Sequence, residues 1–210
     1  MTTIKLENHI WKSIVKAMFE KSKLSNKALR LSGMSSKKNR HLLNNIVNMP
    51  GVNYLEIGVH KGSTFISALY QNNVNYAYAI DNWREFGNVE KTFLKNCNKF
   101  NINNFSLFNE DAFSLDLHWI NHKINVYFYD GCHSLEAQRK ALEYYYDVLD
   151  DTFIFIVDDY DWGDTQVGTM AGICKCNLKI LYERHLKARF CGDKKTWWNG
   201  LYVSLLKKIK

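Results

Sequence analysis

The chain has 210 residues, of which 46% are hydrophobic and 23% are charged, and it contains a single proline. This composition is typical of a globular protein and argues against a disordered, collagen-like or proline-rich chain. No apolar run approaches the ~20 residues that a membrane-spanning helix needs. The first apolar segment carries Lys5 and Glu7 and does not resemble an export signal, so we expect a cytoplasmic protein without a membrane span.

The positive charge of the chain is concentrated in its first 40 residues. Residues 1–40 contain ten Lys or Arg and two Glu, a net charge of +8, whereas residues 41–210 carry a net charge of −1. Such a basic arm suits nucleic acid, an anionic surface or an acidic partner. The alternative is a solvated helical face followed by a flexible connector.

The first 50 residues have helical patterns. Apolar residues recur at near-helical spacing over 4–20 and predict an amphipathic helix. The basic stretch 21–40 is predicted to begin as a connector and to become a second helix over 36–48. We therefore expect a basic N-terminal helical extension over 1–50 and one catalytic or binding domain over 51–210. The apolar face of the first helix could also form a contact between copies of the chain, so a homo-oligomer stays open.

After residue 51, short β-rich runs alternate with segments of helical character. This alternation predicts right-handed crossovers and an α/β fold with a mostly parallel sheet. The last two strand-like runs, 178–186 and 197–208, predict a closing pair at the sheet edge with an antiparallel member. The predicted strands of the parallel part are 53–58, 76–81, 105–111, 124–130 and 153–159, and the predicted helices are 62–72, 88–99, 112–118, 134–149 and 165–175.

Acidic residues stand at or just after the ends of these strands. In an open α/β sheet, ligands bind outside the carboxyl ends of the strands, and buried carboxylates are costly without partners. We therefore expect a polar ligand at this edge. The acids are Glu56 in the first strand, Asp81 and Asp111 after the second and third, and Asp130, Asp158 and Asp159 at the fourth and fifth.

The loop after the first strand has the pattern E-x-G-x-x-x-G-x-T from Glu56 to Thr64. Two glycines allow the backbone to approach a ligand closely between a strand and a helix. The spacing matches neither the dinucleotide fingerprint G-x-G-x-x-G nor the phosphate-binding P-loop. A dehydrogenase is therefore disfavoured, although a nucleotide or nicotinamide cofactor stays open.

These residues resemble the S-adenosylmethionine-dependent methyltransferases of the Rossmann-like class. The resemblance implies that residues 51–210 form an S-adenosylmethionine-binding methyltransferase domain, with a sheet of about seven strands, helices on both faces and an antiparallel edge strand. It also implies that Glu56, Gly58, Gly62 and Ser63 meet the amino-acid and ribose side of the cofactor. Asp81 and Asn82 would meet the ribose, and Asp111 and Ala112 the adenine. The structural alternative is that the glycines only shape a turn and that Asp81 caps a helix.

The fourth and fifth strands are expected to be neighbours, so their acids converge. Three carboxylates at one point repel one another unless some are protonated or a cation neutralises them. Oxygen ligands suit Mg²⁺, Mn²⁺ or Ca²⁺. The segments D-G-C-H (130–133), D-D (158–159) and W-W-N-G-L-Y (197–202) resemble the metal-dependent O-methyltransferases, which include catechol-type and macrolide or aminocoumarin sugar enzymes. The resemblance implies that Asp130, Asp158 and Asp159 bind the metal.

One position departs from that pattern. Relatives often carry an acid two residues after the first metal-binding Asp, and here that position is Cys132. We therefore take His133 as the candidate base, because a histidine titrates in the useful pH range. Asp130 is the second candidate catalytic residue, and an Asp in place of His133 could also take the proton. The alternative is a structural His133. A metal-free family member also stays open.

The predicted activity is methyl transfer from S-adenosylmethionine to a hydroxyl of a small molecule, a sugar or a phenol, with help from Mg²⁺ or another divalent cation. Aromatic residues at the same edge suit such an acceptor. Alternatives are an RNA or protein acceptor docked through the basic arm, or a non-catalytic binding module. The acceptor pocket is expected to contain His60, Trp83, Tyr160 and Trp162.

Overall fold

The computed structural model describes residues 2–87 and 89–209. Seven strands form one sheet, and the helices cover both of its faces. Residue 88, the first of the predicted helix over 88–99, lies outside the described residues. The helices are α1 (Thr3–Met18), α2 (Asn26–Leu29), α3 (Lys37–Val47), α4 (Ser63–Leu69), α5 (Glu90–Lys99), α6 (Leu135–Tyr145) and α7 (Gly163–Lys175). The strands are β1 (Asn53–Ile57), β2 (Tyr76–Ile80), β3 (Phe105–Phe108), β4 (Ile124–Tyr129), β5 (Leu149–Asp158), β6 (Leu178–Leu186) and β7 (Leu201–Lys208).

The strand order is β3-β2-β1-β4-β5-β7-β6. Strands β1 to β5 are parallel, whereas β7 pairs antiparallel with both β5 and β6. The order reverses direction between β1 and β4, which is where open α/β sheets bind their ligands. The predicted mostly parallel sheet with an antiparallel closing strand is therefore confirmed.

Side chains of successive strand residues alternate between two hydrophobic layers. On one face, Tyr54 of β1 packs with α4 residues such as Phe65 and with Ile10 of α1. On the other face, Leu55 packs with Leu142 of α6 and its neighbours. This alternation has a period of two, as expected for strands buried on both sides.

Helices α1 and α3 share the first of these layers with the sheet. Ile10 and Ile14 of α1 and Leu42 of α3 are buried in the same core as β1. His9 Nε2 also lies 2.8 Å from the carbonyl oxygen of Ile46 in α3. The boundary expected at residue 50 therefore does not separate two cores.

The prediction of a helix over 112–118 is wrong. The segment forms turns and only a short 3₁₀ helix at Leu117–Trp119. Asp111 accepts a hydrogen bond from the backbone N–H of Phe113, and Asp116 accepts one from His118. These aspartates satisfy local backbone donors outside a helix, which favours turns.

No helix in the described ranges combines the length and apolar character needed to cross a membrane.

Candidate active site

A cleft of about 470 Å³ opens at the carboxyl ends of β1 to β5. Its wall is built from the loops that follow these strands, from the loop between β6 and β7, and from Met34 in the segment between α2 and α3. The edge predicted from the strand-end acids is therefore the edge that carries the cleft.

The loop after β1 depends on two glycines with positive φ. Gly58 has φ +88°, and a Cβ at this residue would lie 1.9 Å from the backbone oxygen of Asp130. Gly62 has φ +84°, and its Cβ would lie 3.0 Å from Phe93 Cδ2. Left-handed backbone favours glycine, and at Gly58 no side chain fits between the ends of β1 and β4.

Glu56 and Gly62 are not among the residues that line the cleft, and their contact with a cofactor stays a prediction. Glu56 is fully buried behind the loop, because alternation along β1 directs its side chain toward α4. Its carboxylate accepts hydrogen bonds from Tyr54 Oη at 2.5 Å and from Thr64 Oγ1 at 2.6 Å. Burial raises the pKa of Glu56 to about 8, against the opposing effect of these hydrogen bonds.

The other predicted cofactor residues lie in the cleft wall. Asp81 accepts backbone hydrogen bonds on both oxygens, from His60 N at 2.8 Å and from Trp83 N at 2.7 Å. Each carboxylate oxygen has a second lone pair, so Asp81 can still accept from a ligand hydroxyl. The wall residues predicted from the sequence are Gly58, Ser63, Asp81, Asn82, Asp111 and Ala112.

Asp130, Asp158 and Asp159 lie together in the other half of the cleft. Asp158 and Asp159 are buried, and the Asp158 carboxyl group is within hydrogen-bonding reach of Asp130. Burial raises the pKa of both Asp130 and Asp158, and the neighbouring carboxylates raise it further. Asp158 Oδ1 is buried and has no hydrogen-bond partner among the described residues.

His133 and Asn199 hold Asp159 from two sides. His133 Nε2 lies 3.0 Å from Asp159 Oδ2, and Asn199 Nδ2 donates to Asp159 Oδ1 at 2.7 Å. The Asn199 Oδ1 atom accepts from the backbone N–H of Gly192 at 2.6 Å, which fixes the orientation of the amide. The predicted base therefore sits beside the carboxylate cluster. Asn199 was not predicted as a site residue, although it lies in the quoted segment 197–202.

The aromatic wall differs in part from the prediction. His60, Trp83 and Trp162 line the cleft, but Tyr160 does not. Tyr160 is buried and stacks on Tyr202 with ring centroids 4.5 Å apart, so its place in the acceptor pocket is corrected to the core. The wall also contains Met34 and Phe86, for which the sequence pattern offered no specific signal, and Trp198, which lies in the quoted segment 197–202.

The predicted metal site is not confirmed. Across residues 2–87 and 89–209, no group of three or more His, Cys, Asp or Glu side chains is arranged to hold a metal ion. The three predicted ligands are neighbours, but Asp158 is directed toward Asp130, while Asp159 is engaged by His133 and Asn199.

Comparison with known proteins identifies the fold and the family. A family model described as a methyltransferase domain matches residues 55–160, which run from β1 to the loop after β5. The chain belongs to this methyltransferase family. A search of curated proteins finds no match.

Solved structures of methyltransferases have the same fold at low sequence identity. A putative RNA methyltransferase from Pyrococcus horikoshii is 12% identical with a TM-score of 0.60, and the match covers 100% of both chains. TrmN from Thermus thermophilus is 12% identical with a TM-score of 0.61, over 87% of this chain and 52% of that one. The present chain thus spans about half of TrmN.

TrmK from M. capricolum, solved with S-adenosyl-homocysteine, is 16% identical with a TM-score of 0.55, over 80% of this chain and 68% of that one. At these identities the likeness concerns the fold. The methyltransferase therefore has the Rossmann-like architecture of the S-adenosylmethionine-dependent class, and the predicted cofactor class is supported.

Proposed function

We propose that this methyltransferase transfers the methyl group of S-adenosylmethionine to a hydroxyl of an uncharged small molecule, a sugar or a phenol, with a divalent cation at Asp130, Asp158 and Asp159. The charge of the cleft wall carries this proposal. Within the described residues, the wall contains seven carboxylates and no Lys or Arg. A polyanionic acceptor would be repelled by such a wall, whereas a neutral hydroxyl compound would not. The acids are Asp81, Glu85, Glu110, Asp111, Asp130, Asp158 and Asp159.

The donor chemistry of the carboxylate cluster suits a divalent cation, although the side chains of the described residues are not arranged around one in this structure. Three carboxylates supply the oxygen ligands that Mg²⁺ prefers. Asp158 Oδ1 is buried without a partner in the described residues, and burial, followed by the neighbouring carboxylates, raises the pKa of Asp130 and Asp158. A proton shared between these two side chains and a bound cation are alternative ways to neutralise them. When bound, the cation would supply positive charge that lowers the pKa of an acceptor hydroxyl.

The side chains around the cluster perform the remaining tasks of the proposed reaction. Asp159 holds the His133 ring through Nε2, and His133 Nδ1 has no partner within the described part of the chain. We assign His133 as the base that takes the hydroxyl proton. Trp162 and Trp198 line the same half of the cleft and would orient the acceptor and exclude water.

An RNA acceptor is the second candidate. Several solved structures of the same fold are described as RNA, rRNA or tRNA methyltransferases, including the putative RNA methyltransferase from Pyrococcus horikoshii. The +8 charge of residues 1–40 offers a docking surface for phosphates. On this hypothesis a nucleobase would enter the acidic cleft while the RNA backbone stays outside it.

The deciding experiment measures methyl transfer from isotopically labelled S-adenosylmethionine to a panel of sugar diols, catechols and unmodified tRNA. Each reaction is run with Mg²⁺ and with EDTA. We expect transfer to a hydroxyl compound that falls at least about 100-fold with EDTA, in line with the role of a metal that activates the acceptor. Transfer to tRNA that is insensitive to EDTA would replace the proposal with the RNA candidate. Cofactor binding without transfer to any acceptor would favour a binding module.

A further inference from the structure

We propose that the exposed face of α1 docks on an anionic lipid surface. One face of this helix is buried against the body of the protein through Ile10, Ile14 and Ala17. Beside this buried face, the helix exposes large apolar side chains. Ile4 is 70% exposed, Trp11 49% and Met18 52%.

The three exposed side chains form a stripe. They are spaced by seven residues, which advances an α-helix by nearly two full turns, so they lie almost in line along its axis. Phe19, which follows the helix, is 69% exposed and extends the apolar surface at its end. Clusters of exposed large apolar residues mark interaction surfaces more often than single ones do.

A row of lysines runs beside this stripe. Lys5, Lys12 and Lys16 are exposed, and helical geometry places them on one flank of the stripe. The single acid of α1, Glu7, is half-buried on the other flank. An apolar stripe next to a lysine row is the pattern of a helix that lies in the interface of a bilayer. The apolar side chains enter the boundary of the acyl chains, and the ammonium groups meet anionic headgroups.

An anionic lipid surface would contact both the apolar stripe and the lysine row. A nucleic acid or a second copy of the chain would contact only one of them. A nucleic acid would satisfy the lysines but would leave Ile4 and Met18 in water, because phosphate contacts dominate such complexes. A second copy of the chain would cover the apolar stripe but would bring two basic arms of net charge +8 together. Charge complementarity therefore favours an anionic bilayer.

Helix α1 is fixed to the protein, so its face is preformed. His9 and Ser13 lie on the packed side, and His9 Nε2 is within 2.8 Å of the Ile46 carbonyl. Just after the helix, Lys23 Nζ donates to Asn48 Oδ1 and to the carbonyl oxygen of Gln71. Asn48 precedes β1 and Gln71 follows α4, at the edge of the sheet opposite the cleft. Docking through α1 would leave the cleft accessible.

The test is flotation of the full chain with vesicles of phosphatidylcholine alone or mixed with phosphatidylglycerol. We expect binding to the anionic vesicles that weakens with added salt, and weak or no binding to the neutral ones. Ile4→Ser with Trp11→Ser, and separately Lys5→Glu with Lys12→Glu, should each reduce binding roughly tenfold or more. Matched controls on other exposed helix faces are Val167→Ser with Met170→Ser and Lys91→Glu with Lys95→Glu, which should change binding less than about twofold.

Circular dichroism and S-adenosylhomocysteine affinity verify that the variants are folded. No binding to anionic vesicles would overturn the proposal, as would equal losses in the control pairs. Tighter, salt-sensitive binding of tRNA that depends on the lysines but not on Ile4 and Trp11 would assign the face to RNA. A dimer that dissociates in the Ile4→Ser, Trp11→Ser variant would assign it to a second copy. Vesicle binding requires no cofactor or acceptor, so the outcome is independent of the proposed reaction.

Discussion

The acidic residues of the cleft have different surroundings in its two halves, the first at the ends of β2 and β3 and the second at the ends of β4 and β5. At the ends of β2 and β3, Asp81 accepts hydrogen bonds from the backbone N–H groups of His60, in the loop after β1, and Trp83, and Asp111 accepts one from Phe113. At the ends of β4 and β5, Asp130 and Asp158 face each other, and one buried oxygen has no described partner. The first half is thus organised before any ligand binds, while the second half carries charge that a proton or a cation must neutralise.

The largest effect is expected at the junction of the two halves, in Gly58→Ala. The new Cβ would lie 1.9 Å from the backbone oxygen of Asp130, and the residue has φ +88°. The backbone at Asp130 must move, and the alanine must adopt a strained conformation. We therefore expect a loss of roughly 3 kcal/mol or more in the free energy of unfolding. Chemical denaturation measures this free energy in the variant and the wild type.

Gly51→Ala is the matched control for Gly58→Ala. Gly51 also has positive φ, at +71°, but a Cβ there would meet nothing within 4 Å. This variant isolates the conformational strain, for which we expect about 1 kcal/mol. Equal losses in the two variants would show that the close approach of β1 and β4 contributes nothing.

The second half of the cleft is tested by Asp158→Asn. The raised pKa of Asp158 means that its ionised form destabilises the fold at neutral pH, so the neutral amide should raise the free energy of unfolding by about 1–2 kcal/mol in metal-free protein. The same change removes a proposed ligand, so the increase in melting temperature produced by Mg²⁺ should disappear.

Asp164→Asn, at the exposed start of α7, is the control for Asp158→Asn and should leave both measurements unchanged. The affinity for S-adenosylhomocysteine should change less than about threefold in either variant, because the cofactor is expected in the other half. If Mg²⁺ did not change the melting temperature of the wild-type protein, the proposed cation site would be wrong. Asp130 and Asp158 would then share a proton instead.

The fold was largely predictable because its signals are local. Apolar runs punctuated by turn residues predicted β1 to β5, and the pairing of the last two strands followed from the short polar stretch between them. Two features were predicted wrongly, for different reasons. Asp111 and Asp116 accept hydrogen bonds from backbone donors and form turns where a helix was expected. Strand β7 begins at Leu201, later than the predicted residue 197, because Trp198 and Gly200 have positive φ.

The site residues that directly follow strands could be predicted from the sequence. The site residues that belong to segments distant in the chain could not. The acids at strand ends were found because strand direction alone brings them to one edge. Tyr160 follows a strand too, yet it stacks on Tyr202, a partner that no local pattern reveals. Met34 and Asn199 reach the cleft only through packing of the α2–α3 segment and the β6–β7 loop. Such contacts join residues far apart in the chain.

Glu56 offers a pH test of the first half of the cleft. Its pKa is raised from 4.5 to about 8, mainly by burial. Between these values the folded protein retains a proton that the unfolded chain loses, so the free energy of unfolding falls as the pH rises. The slope is at most about 1.4 kcal/mol per pH unit. Glu56→Gln should flatten this part of the stability profile relative to wild type.

Glu85→Gln, an exposed acid of the cleft wall, should preserve the slope of the wild-type profile. Denaturation curves from pH 5 to pH 8 compare the three proteins. Parallel profiles for wild type and Glu56→Gln would mean that Glu56 is ionised in the folded protein, stabilised by Tyr54 and Thr64.

The smallest effect is expected from Gly33→Ala, which tests whether the α2–α3 segment completes the first half of the cleft. A Cβ at Gly33 would lie 1.9 Å from Ser63 Oγ and 2.5 Å from Ser63 Cβ, so rotation of the hydroxyl does not relieve the clash and the segment carrying Met34 must shift away from the start of α4. We expect S-adenosylhomocysteine to bind roughly three- to tenfold more weakly by calorimetry, a loss of about 1 kcal/mol. Gly163→Ala, where a Cβ meets nothing within 4 Å, is the control.

The affinity for methylthioadenosine, which lacks the amino-acid portion of the cofactor, shows which part of the cofactor site Gly33→Ala affects. Ser63 is predicted to meet the amino-acid side, so the affinity for methylthioadenosine should stay unchanged while that for S-adenosylhomocysteine falls. Equal losses for both ligands would instead mean that the displaced segment distorts the whole first half, including the ribose site at Asp81. The ratio of the affinities for S-adenosylhomocysteine and methylthioadenosine therefore distinguishes a lost contact at Ser63 from distortion of the whole first half of the cleft. Only the lost contact would weaken one ligand and not the other.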